Sequence, residues 1–323
     1  MAELTYRNAV HLALAQEMER DERVVLIGED LRQGGVFKTS KGLFERFGPD
    51  RVWDTPIAEQ AILGCAMGAA MTGIRPVAEI MFADFFAVCW DMVVNEMAKA
   101  RYMSGGHVSL PLVIRTANGA GLKFGAQHSQ SVENWAMCVP GLKIASPSNP
   151  ADLMGLLSAA IRDDDPVLFF EHKALYASKG EAPEGEHIVP LGQAAVRREG
   201  HDVALVGLGQ TVHLALEAAD RLAQSGVEAT VIDLRTLVPL DARTVLDAVR
   251  RTGRVVIVEE NPVALGWGAG VAALVAEEGF EDLEAPVRRV SGLNVPIPFA
   301  ANLEKAALPS SAGVVEAAEA VLA

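Results

Sequence analysis

The chain has 323 residues, enough for two domains of ordinary size, and half of them are hydrophobic while only 6% are aromatic. That apolar mass of Ala, Val and Leu suits helices packed on parallel strands. A formal net charge of −14, with no basic stripe or aromatic platform, repels phosphate backbones and excludes nucleic-acid binding. Cys65, Cys89 and Cys138 form no C-x-x-C pair; each in an apolar setting, they are expected as reduced core thiols without a disulfide framework. The opening segment Met1 to Arg7 has no apolar signal core and no apolar run reaches membrane-spanning length, so a soluble, cytoplasmic protein is expected.

Thr5 can cap a first helix that carries Val10, Ala13, Leu14 and Met18 at helical spacing and ends near Asp21. Val24-Val25-Leu26-Ile27 reads as a buried strand stopping at Gly28-Glu29-Asp30, which puts two acids at a strand's carboxyl end, where ligands gather in α/β proteins. Gln33 to Phe37 is a loop whose glycines, without a P-loop lysine, say little about phosphate. The strand-like Val52-Trp53 runs into Asp54-Thr55-Pro56, expected to cap and open a helix with Glu59 near its first turn. The field of a helix start keeps a carboxylate ionised, whereas desolvation pushes the other way and lets it share a proton. From Ala61 to Met71 the helix has no polar face and is expected to be buried all round. Gly64 and Gly68, four apart, lie on one face where another backbone can approach closely. On this pattern alone Glu59 reads either as decoration of the first turn or as a catalytic acid.

Arg75 to Ile80 is a further strand, and Asp84 begins a helix reaching about Tyr102, with Phe82, Phe85, Phe86 and Trp90 read as core packing. The strand Pro111 to Arg115 opens into a long polar loop, Thr116 to Ser131, of the kind that carries function in compact domains. Within it His128, flanked by groups able to fix its tautomer, is the histidine chosen as proton donor or acceptor. His11, His172, His187, His201 and His213 read as surface or helix-face residues. Leu142 to Ala145 is a strand, Ser148-Asn149-Pro150 opens a helix to Arg162, and Pro166 to Glu171 is again a strand. This first βα alternation closes near residue 175, and residues 176–200 have the Lys, Gly, Glu and Pro content of a linker. Beyond it, strands at Val203–Val206, Val227–Leu234, Val255–Glu259 and Val287–Val290 alternate with helices in a second, smaller, mostly parallel domain. Gly207-Leu208-Gly209 and Gly266-Trp267-Gly268-Ala269-Gly270 lack the full dinucleotide spacing and read as strand-to-helix turns.

No Walker lysine loop, H-E-x-x-H, G-x-S-x-G or paired Cys/His zinc set is present, which disfavours a self-contained hydrolase or NTPase. In order along the chain, Gly28-Glu29-Asp30, Gly34-Gly35-Val36-Phe37, Asp54-Thr55-Pro56-Ile57 with Glu59, Arg75 to Glu79, Tyr102 to Gly106, Gln127-His128-Ser129-Gln130-Ser131, Pro140 to Lys143 and Ala160 to Asp163 closely resemble the β subunit of thiamine-diphosphate-dependent 2-oxo acid dehydrogenases. These are the decarboxylating first component of pyruvate, branched-chain 2-oxo acid and acetoin dehydrogenase complexes, and the resemblance covers essentially the whole chain. It implies two transketolase-like α/β domains: a pyrimidine-binding domain over residues 1–175, the linker, and a C-terminal domain over 201–323 for assembly and docking.

The resemblance also implies roles. Glu59 matches the glutamate that hydrogen-bonds the cofactor's aminopyrimidine and favours its imino form. Phe85 matches the ring packed against that pyrimidine, with Met81 beside it, and Glu29 matches an acid next to the cofactor pocket. His128 matches the histidine that orients the substrate-derived adduct or lipoyl group and moves protons. The family holds the diphosphate and its Mg²⁺ with a Gly-Asp-Gly motif, which this chain lacks; an α subunit is therefore expected to supply it in an α₂β₂ heterotetramer, with the Gly64/Gly68 face as a seam. Some members bind a structural monovalent cation such as K⁺ near positions matching Leu112, Ala160, Asp163 and Asp165, the last standing where an Asn is common. The lipoyl-bearing dihydrolipoyl acyltransferase is expected to dock on the C-terminal domain, with the Val314 to Ala323 helix and its Glu316 and Glu319 as the surface. The expected reaction is oxidative decarboxylation of a 2-oxo acid, with pyruvate favoured; Ala126-Gln127 rather than a histidine run before His128 leans away from branched-chain substrates. Acetoin cleavage and branched-chain 2-oxo acids are the alternatives within this chemistry. A non-catalytic assembly module and a nicotinamide-binding oxidoreductase are the alternatives outside it.

Overall fold

The computed structural model describes residues 2–323, and its chain divides into two compact units. The first comprises the residues up to Asn118 together with Trp135–Leu191, the second Gly119–Asn134 with Gly192–Ala323. In chain order the elements are β1 (Ala2–Thr5), α1 (Tyr6–Arg20), β2 (Val24–Glu29), α2 (Leu43–Phe47), β3 (Val52–Thr55), α3 (Glu59–Met71), β4 (Arg75–Phe82), α4 (Phe86–Asp91), α5 (Ala98–Met103), β5 (Val113–Asn118), α6 (Glu133–Met137), β6 (Lys143–Ala145), α7 (Pro150–Arg162), β7 (Val167–His172) and β8 (Lys179–Ala182). They continue with β9 (Ala195–Arg198), β10 (Val203–Gly207), α8 (Gln210–Ala223), β11 (Ala229–Asp233), β12 (Thr236–Val238), α9 (Ala242–Thr252), β13 (Val255–Pro262), α10 (Trp267–Glu278), β14 (Arg288–Gly292), α11 (Ala301–Ala307) and α12 (Ser311–Leu322).

In the first unit six strands hydrogen-bond in the order β6-β7-β5-β4-β2-β3, all parallel. Their carboxyl ends therefore share one edge. α1 forms where expected: Thr5 Oγ1 accepts the Asn8 N–H at 3.2 Å, and Val10, Ala13, Leu14 and Met18 are all buried. α7 starts on an Asn149 cap that accepts the Asp152 N–H at 3.0 Å, with Pro150 as its first residue. The two helices share a core through Leu14, Leu153, Leu157 and Ala160, where each fully buried leucine contributes about 1.5–3 kcal/mol. Arg162 of α7 reaches the buried Glu17 of α1 at 2.7 Å. The second unit has a five-stranded sheet of order β14-β13-β10-β11-β9, parallel except for β9, whose core joins Leu205, Val231 and Val256 to Ala215, Leu222, Val314 and Ala318 of the helices.

Several expectations are corrected. Residues 176–200 hold two strands: β8 pairs antiparallel with β1, and β9 edges the second sheet. Composition cannot show a pairing between strands almost the whole unit apart. Neither Asp54 nor Thr55 caps α3, because pairing with β2 keeps the chain extended through Thr55; the helix starts at Glu59 after Ala58, which gives no side-chain cap. Nor is α3 buried all round, since Ala61, Cys65, Gly68 and Met71 are exposed on this chain. Cys65 and Cys138 are exposed thiols, and only Cys89 is a core one. The helix expected from Asp84 to Tyr102 is broken into a 3₁₀ turn at Ala83–Phe85, α4 with non-helical Cys89, a π-helical stretch Met92–Met97, and α5. Among the described residues no helix is long and apolar enough to cross a membrane.

Beneath the carboxyl edge of the first sheet lies a buried ionic network. Arg115 of β5 grips Glu171 of β7 with two bonds, Nε to Oε1 at 2.7 Å and Nη2 to Oε2 at 2.8 Å, and its Nη1 donates to Glu79 of β4. The Tyr176 hydroxyl donates to Glu171 at 2.8 Å. Burial, opposed by Arg115 and reinforced by Glu171, raises the Glu79 carboxyl above its ordinary range. Removing the cation would strand two carboxylates in the core, a loss of about 3–5 kcal/mol. Arg115→Met is thus expected to lower the denaturant midpoint sharply, with the deficit shrinking at acidic pH where the stranded carboxyls protonate; an unchanged midpoint would contradict this account.

Candidate active site

Four of the sequence-selected cofactor-site residues, Glu29, Glu59, Met81 and Phe85, lie in the first unit. Glu29 closes β2 directly opposite Thr55, the last residue of β3, and α3 begins four residues further on with Glu59. Both acids are buried, Glu29 at 7% and Glu59 at 8% exposure. Glu59 occupies the first position of a helix whose start has no side-chain cap, so free backbone N–H groups and the helix dipole favour negative charge there. Burial first, then the charges of Glu59, Asp30 and Glu79, push the Glu29 carboxyl upward. The Cys89 thiol is pushed up to about 12 by burial and by the charge of Glu59. These shifts place Glu29, Glu59, Asp30, Glu79 and Cys89 within one electrostatic neighbourhood. The Thr55 hydroxyl at the same edge is buried without a hydrogen-bond partner.

Met81 lies near the end of β4 and Phe85 in the 3₁₀ turn after it, both partly exposed. Phe85 stands edge-on to Phe82 at 5.6 Å between centroids; Phe82 meets Phe37 at 5.5 Å, and Phe37 meets Tyr176 at 4.9 Å. A row of rings therefore connects the position of Phe85 to the Arg115 network. Gly28 is needed beneath Glu29, because a Cβ there would stand 3.1 Å from both the Cβ and the carbonyl oxygen of Glu79. The sequence reading missed Glu79, Arg115 and Glu171. A charged residue inside an otherwise apolar strand was the available signal. It also placed His172 at the surface, whereas His172 ends β7 in register with Asn118 and is buried; the strand simply runs one residue beyond the expected end.

His128 belongs to the second unit, on the loop Gly119–Asn134. It is partly exposed, and its own N–H donates to the Gly125 carbonyl at 3.3 Å. The glycine-rich start of α10, in the same unit, is filled by the protein itself. Glu259 is fully buried, accepts the Gly268 N–H at 2.6 Å, and is held by Arg289 and by the Ser291 hydroxyl at 2.7 Å. A Cβ at Gly266 would fall 2.3 Å from that carboxylate. The helix N-terminus is thus closed to an incoming phosphate, in line with the strand-to-helix turn expected there.

The positions considered for a monovalent cation gather at the amino edge of the first sheet, away from Glu29 and Glu59. The Ala160 carbonyl accepts the Asp163 N–H at 3.3 Å and the Leu112 carbonyl accepts the Val167 N–H at 3.0 Å. The Lys143 ammonium lies 2.7 Å from Asp163 and 3.2 Å from Asp165, and Arg101 reaches Asp165 at 2.5 Å. Burial works against the charge of Asp165, but the bonds from Arg101 and Lys143 outweigh it and hold the carboxyl below its usual range. Among the described residues no group of three or more His, Cys, Asp and Glu is arranged to hold a metal ion.

Two parallel-sheet units of this order, the first with buried acids at its carboxyl edge, define a transketolase-like α/β chain. Residues 2–179 match the family described as "Transketolase, pyrimidine binding domain", and residues 192–314 match "Transketolase, C-terminal domain". Similar chains include the 2-oxoisovalerate dehydrogenase subunit beta of Bacillus subtilis, 47% identical over 308 residues and covering 94% of each chain. The acetoin:2,6-dichlorophenolindophenol oxidoreductase subunit beta of the same organism is 45% identical over 320 residues, covering 95% of this chain and 94% of the relative. The pyruvate dehydrogenase E1 component subunit beta of Rickettsia felis is 45% identical over 320 residues, covering 99% of this chain and 98% of the relative. A solved "Split gene transketolase, inactive beta4 tetramer" superposes with a TM-score of 0.81 at 28% identity, covering 99% of this chain and 98% of the other. The chain belongs to the family of E1 β subunits of pyruvate, branched-chain 2-oxo acid and acetoin dehydrogenase complexes.

The raised Glu29 carboxyl has a consequence for stability. A group that binds its proton more tightly folded than unfolded favours folding at low pH and opposes it once pH rises through the folded value. Glu29→Gln is therefore expected to raise the melting temperature at pH 7–8, with the gain vanishing as pH falls through the ordinary carboxyl range near 4.5. A gain independent of pH would mean that ionisation of Glu29 is not its source.

Proposed function

We propose that this chain is the β subunit of an α₂β₂ thiamine-diphosphate-dependent 2-oxo acid dehydrogenase. It catalyses oxidative decarboxylation, pyruvate being the favoured substrate, and passes the acyl group to a lipoyl group of the core acyltransferase. The observation that carries this reading is Glu59, a buried carboxylate at the uncapped first position of α3. The residues present fit the pyrimidine half of the cofactor: an acid that can share a proton, a partly exposed aromatic ring at Phe85, and the orphaned Thr55 hydroxyl at the same edge. They do not include the Gly-Asp-Gly motif for diphosphate and Mg²⁺, which the α subunit would contribute. When bound, thiamine diphosphate supplies the nucleophilic carbon and electron sink for loss of CO₂. Glu59 would hydrogen-bond the aminopyrimidine ring and favour its imino form, Phe85 and Met81 would pack beside that ring, and Glu29 would lie next to the same pocket. His128 orients the substrate-derived group or the lipoyl acceptor and moves a proton. A monovalent cation such as K⁺ at Leu112, Ala160, Asp163 and Asp165 would require Lys143 and Arg101 to release the two carboxylates they now pair with. The setting is cytoplasmic.

Ala126-Gln127 before His128 leans away from branched-chain substrates; acetoin and branched-chain 2-oxo acids are the alternatives to pyruvate. Mixing the chain with its cognate α chain, and assaying pyruvate, acetoin and 2-oxoisovalerate in parallel, decides among them. In that complex Glu59→Gln should sharply slow hydrogen–deuterium exchange at the thiazolium C2 together with decarboxylation. His128→Ala should lower turnover by about 10²–10⁴-fold while cofactor binding persists. Unchanged C2 exchange in the Gln variant would remove Glu59 from this role.

The exposed Ala61, Cys65 and Gly68 face of α3 is the proposed seam with the α chain. Nothing in this chain lies within 4 Å of a Cβ built at Gly68, so the face can accept another backbone closely. Thiol labelling should modify Cys65 rapidly in the isolated chain and slowly once the α chain is added, with buried Cys89 inert in both. Equal labelling rates in both states would rule out that seam. For acyltransferase docking, Glu316 and Glu319 of α12 are exposed while Val314, Ala318 and Val321 are core residues. Charge reversal at the two acids is thus a cleaner probe than truncation of the helix.

A further inference from the structure

The loop that carries His128 turns repeatedly. Gly119, Gly121, Lys123 and Gly125 have φ of 85°, 93°, 60° and 76°. A backbone turning this often forms no ladder of its own, so its amides need acceptors from elsewhere. Two carboxylates meet that need. Glu260, near the end of β13, accepts the Ala120 N–H at 2.7 Å and the Ser131 hydroxyl at 2.6 Å on the same oxygen, Oε1, which ties the two ends of the loop together. Glu304, on α11 and only 4% exposed, accepts the Gly121 N–H at 3.1 Å and the Lys123 N–H at 3.0 and 3.2 Å. The neighbouring Asn261 adds a bond from its side-chain amide to the Ser131 carbonyl at 2.7 Å, and Gly119 donates to Gln130 at 3.0 Å across the loop's neck. Bonds to an ionised acceptor are about twice as strong as neutral ones, and here they grip the backbone before His128 and the Ser131 side chain after it.

We propose that Glu260 and Glu304 are positioning residues of the reaction, fixing the loop so that the His128 imidazole is held ready for its substrate. The second unit then takes part in catalysis, rather than only in assembly and docking. This inference rests on the role given above to His128. It does not involve Glu59, which belongs to the first unit, and that separation makes it testable. Cofactor activation depends on Glu59, whereas turnover depends on both acids' loop.

The test uses the chain reconstituted with its cognate α chain, turning over whichever of pyruvate, acetoin and 2-oxoisovalerate the wild-type complex accepts. Misplacing a catalytic group by about 1 Å can cost up to ~10²-fold, so Glu304→Gln is expected to lower turnover by about 10- to 100-fold, with C2 exchange of the bound cofactor unchanged. Ser131→Ala, which deletes one hydroxyl and leaves the rest of the loop intact, should show the same split to a smaller degree. Amide exchange by mass spectrometry should quicken over residues 119–131 in both variants. In a His128→Ala background, Glu304→Gln should cause no further loss of turnover, since the group being positioned is already absent. A parallel fall of C2 exchange and turnover would mean that the two acids only support the fold. Wild-type turnover in both variants, or full additivity with His128→Ala, would equally overturn the proposal. If His128→Ala alone kept full turnover, the role of His128 itself would fail, an outcome recognisable without the Glu304 variant.

Discussion

The first unit depends on one cation among buried acids. Glu79 and Glu171 could not both sit in the sheet interior without Arg115 between them, for each charge alone would cost several kcal/mol to desolvate. Around that cation the neighbouring structure follows: Gly28 is bare because Glu79 lies against it, and Tyr176 is fixed by its bond to Glu171. Through Tyr176, Phe37 and Phe82 the arrangement reaches Phe85. An ion pair in the core is a weak source of net stability compared with apolar packing, but its directional bonds are exacting about geometry. Here they tie together three adjacent strands directly under the proposed cofactor residues.

The same edge also accumulates negative charge. Burial first, and then the charges of Glu59, Asp30 and Glu79, raise the Glu29 carboxyl, which a protein optimised for stability alone would avoid. Such strain is common where a carboxyl must keep or exchange a proton near neutral pH. The acids at the amino edge contrast with this. Asp163 pairs with Lys143, and Asp165 is held below its usual range by its bonds to Arg101 and Lys143, the ordinary condition of structural carboxylates. One sheet therefore treats acids in two opposite ways at its two ends.

What could be read from the sequence was what is encoded locally. α1 and α7 follow from a cap within three residues of each start and from an apolar stripe at helical spacing. The two-unit α/β architecture follows from repeated strand–helix alternation; Glu59 does stand at the start of α3, though not through the Asp54 or Thr55 cap expected. What escaped was set by contacts far apart in sequence. Thr55 stayed in a strand because β2 pairs with it, and β8 exists because residues 2–5 lie beside it. The loop of His128 groups with the second unit through Glu260 and Glu304, more than a hundred positions away. The exposed side of α3 escaped for a different reason: an apolar pattern shows that a face is to be covered, not which chain covers it.

Glu259 carries an implication for how such a domain can diverge. It occupies the place at the start of α10 where α/β folds elsewhere receive a phosphate, so the second sheet retains the outline of a nucleotide cradle with its opening closed from within. Reopening it would require loss of the acid, which would leave Arg289 only the Val263 carbonyl among its bonds here and the Ser291 hydroxyl without the acceptor it now uses. Several substitutions would have to arrive together, each harmful alone. The domain is held in its present use by an epistatic barrier made of a single side chain and the donors gathered around it.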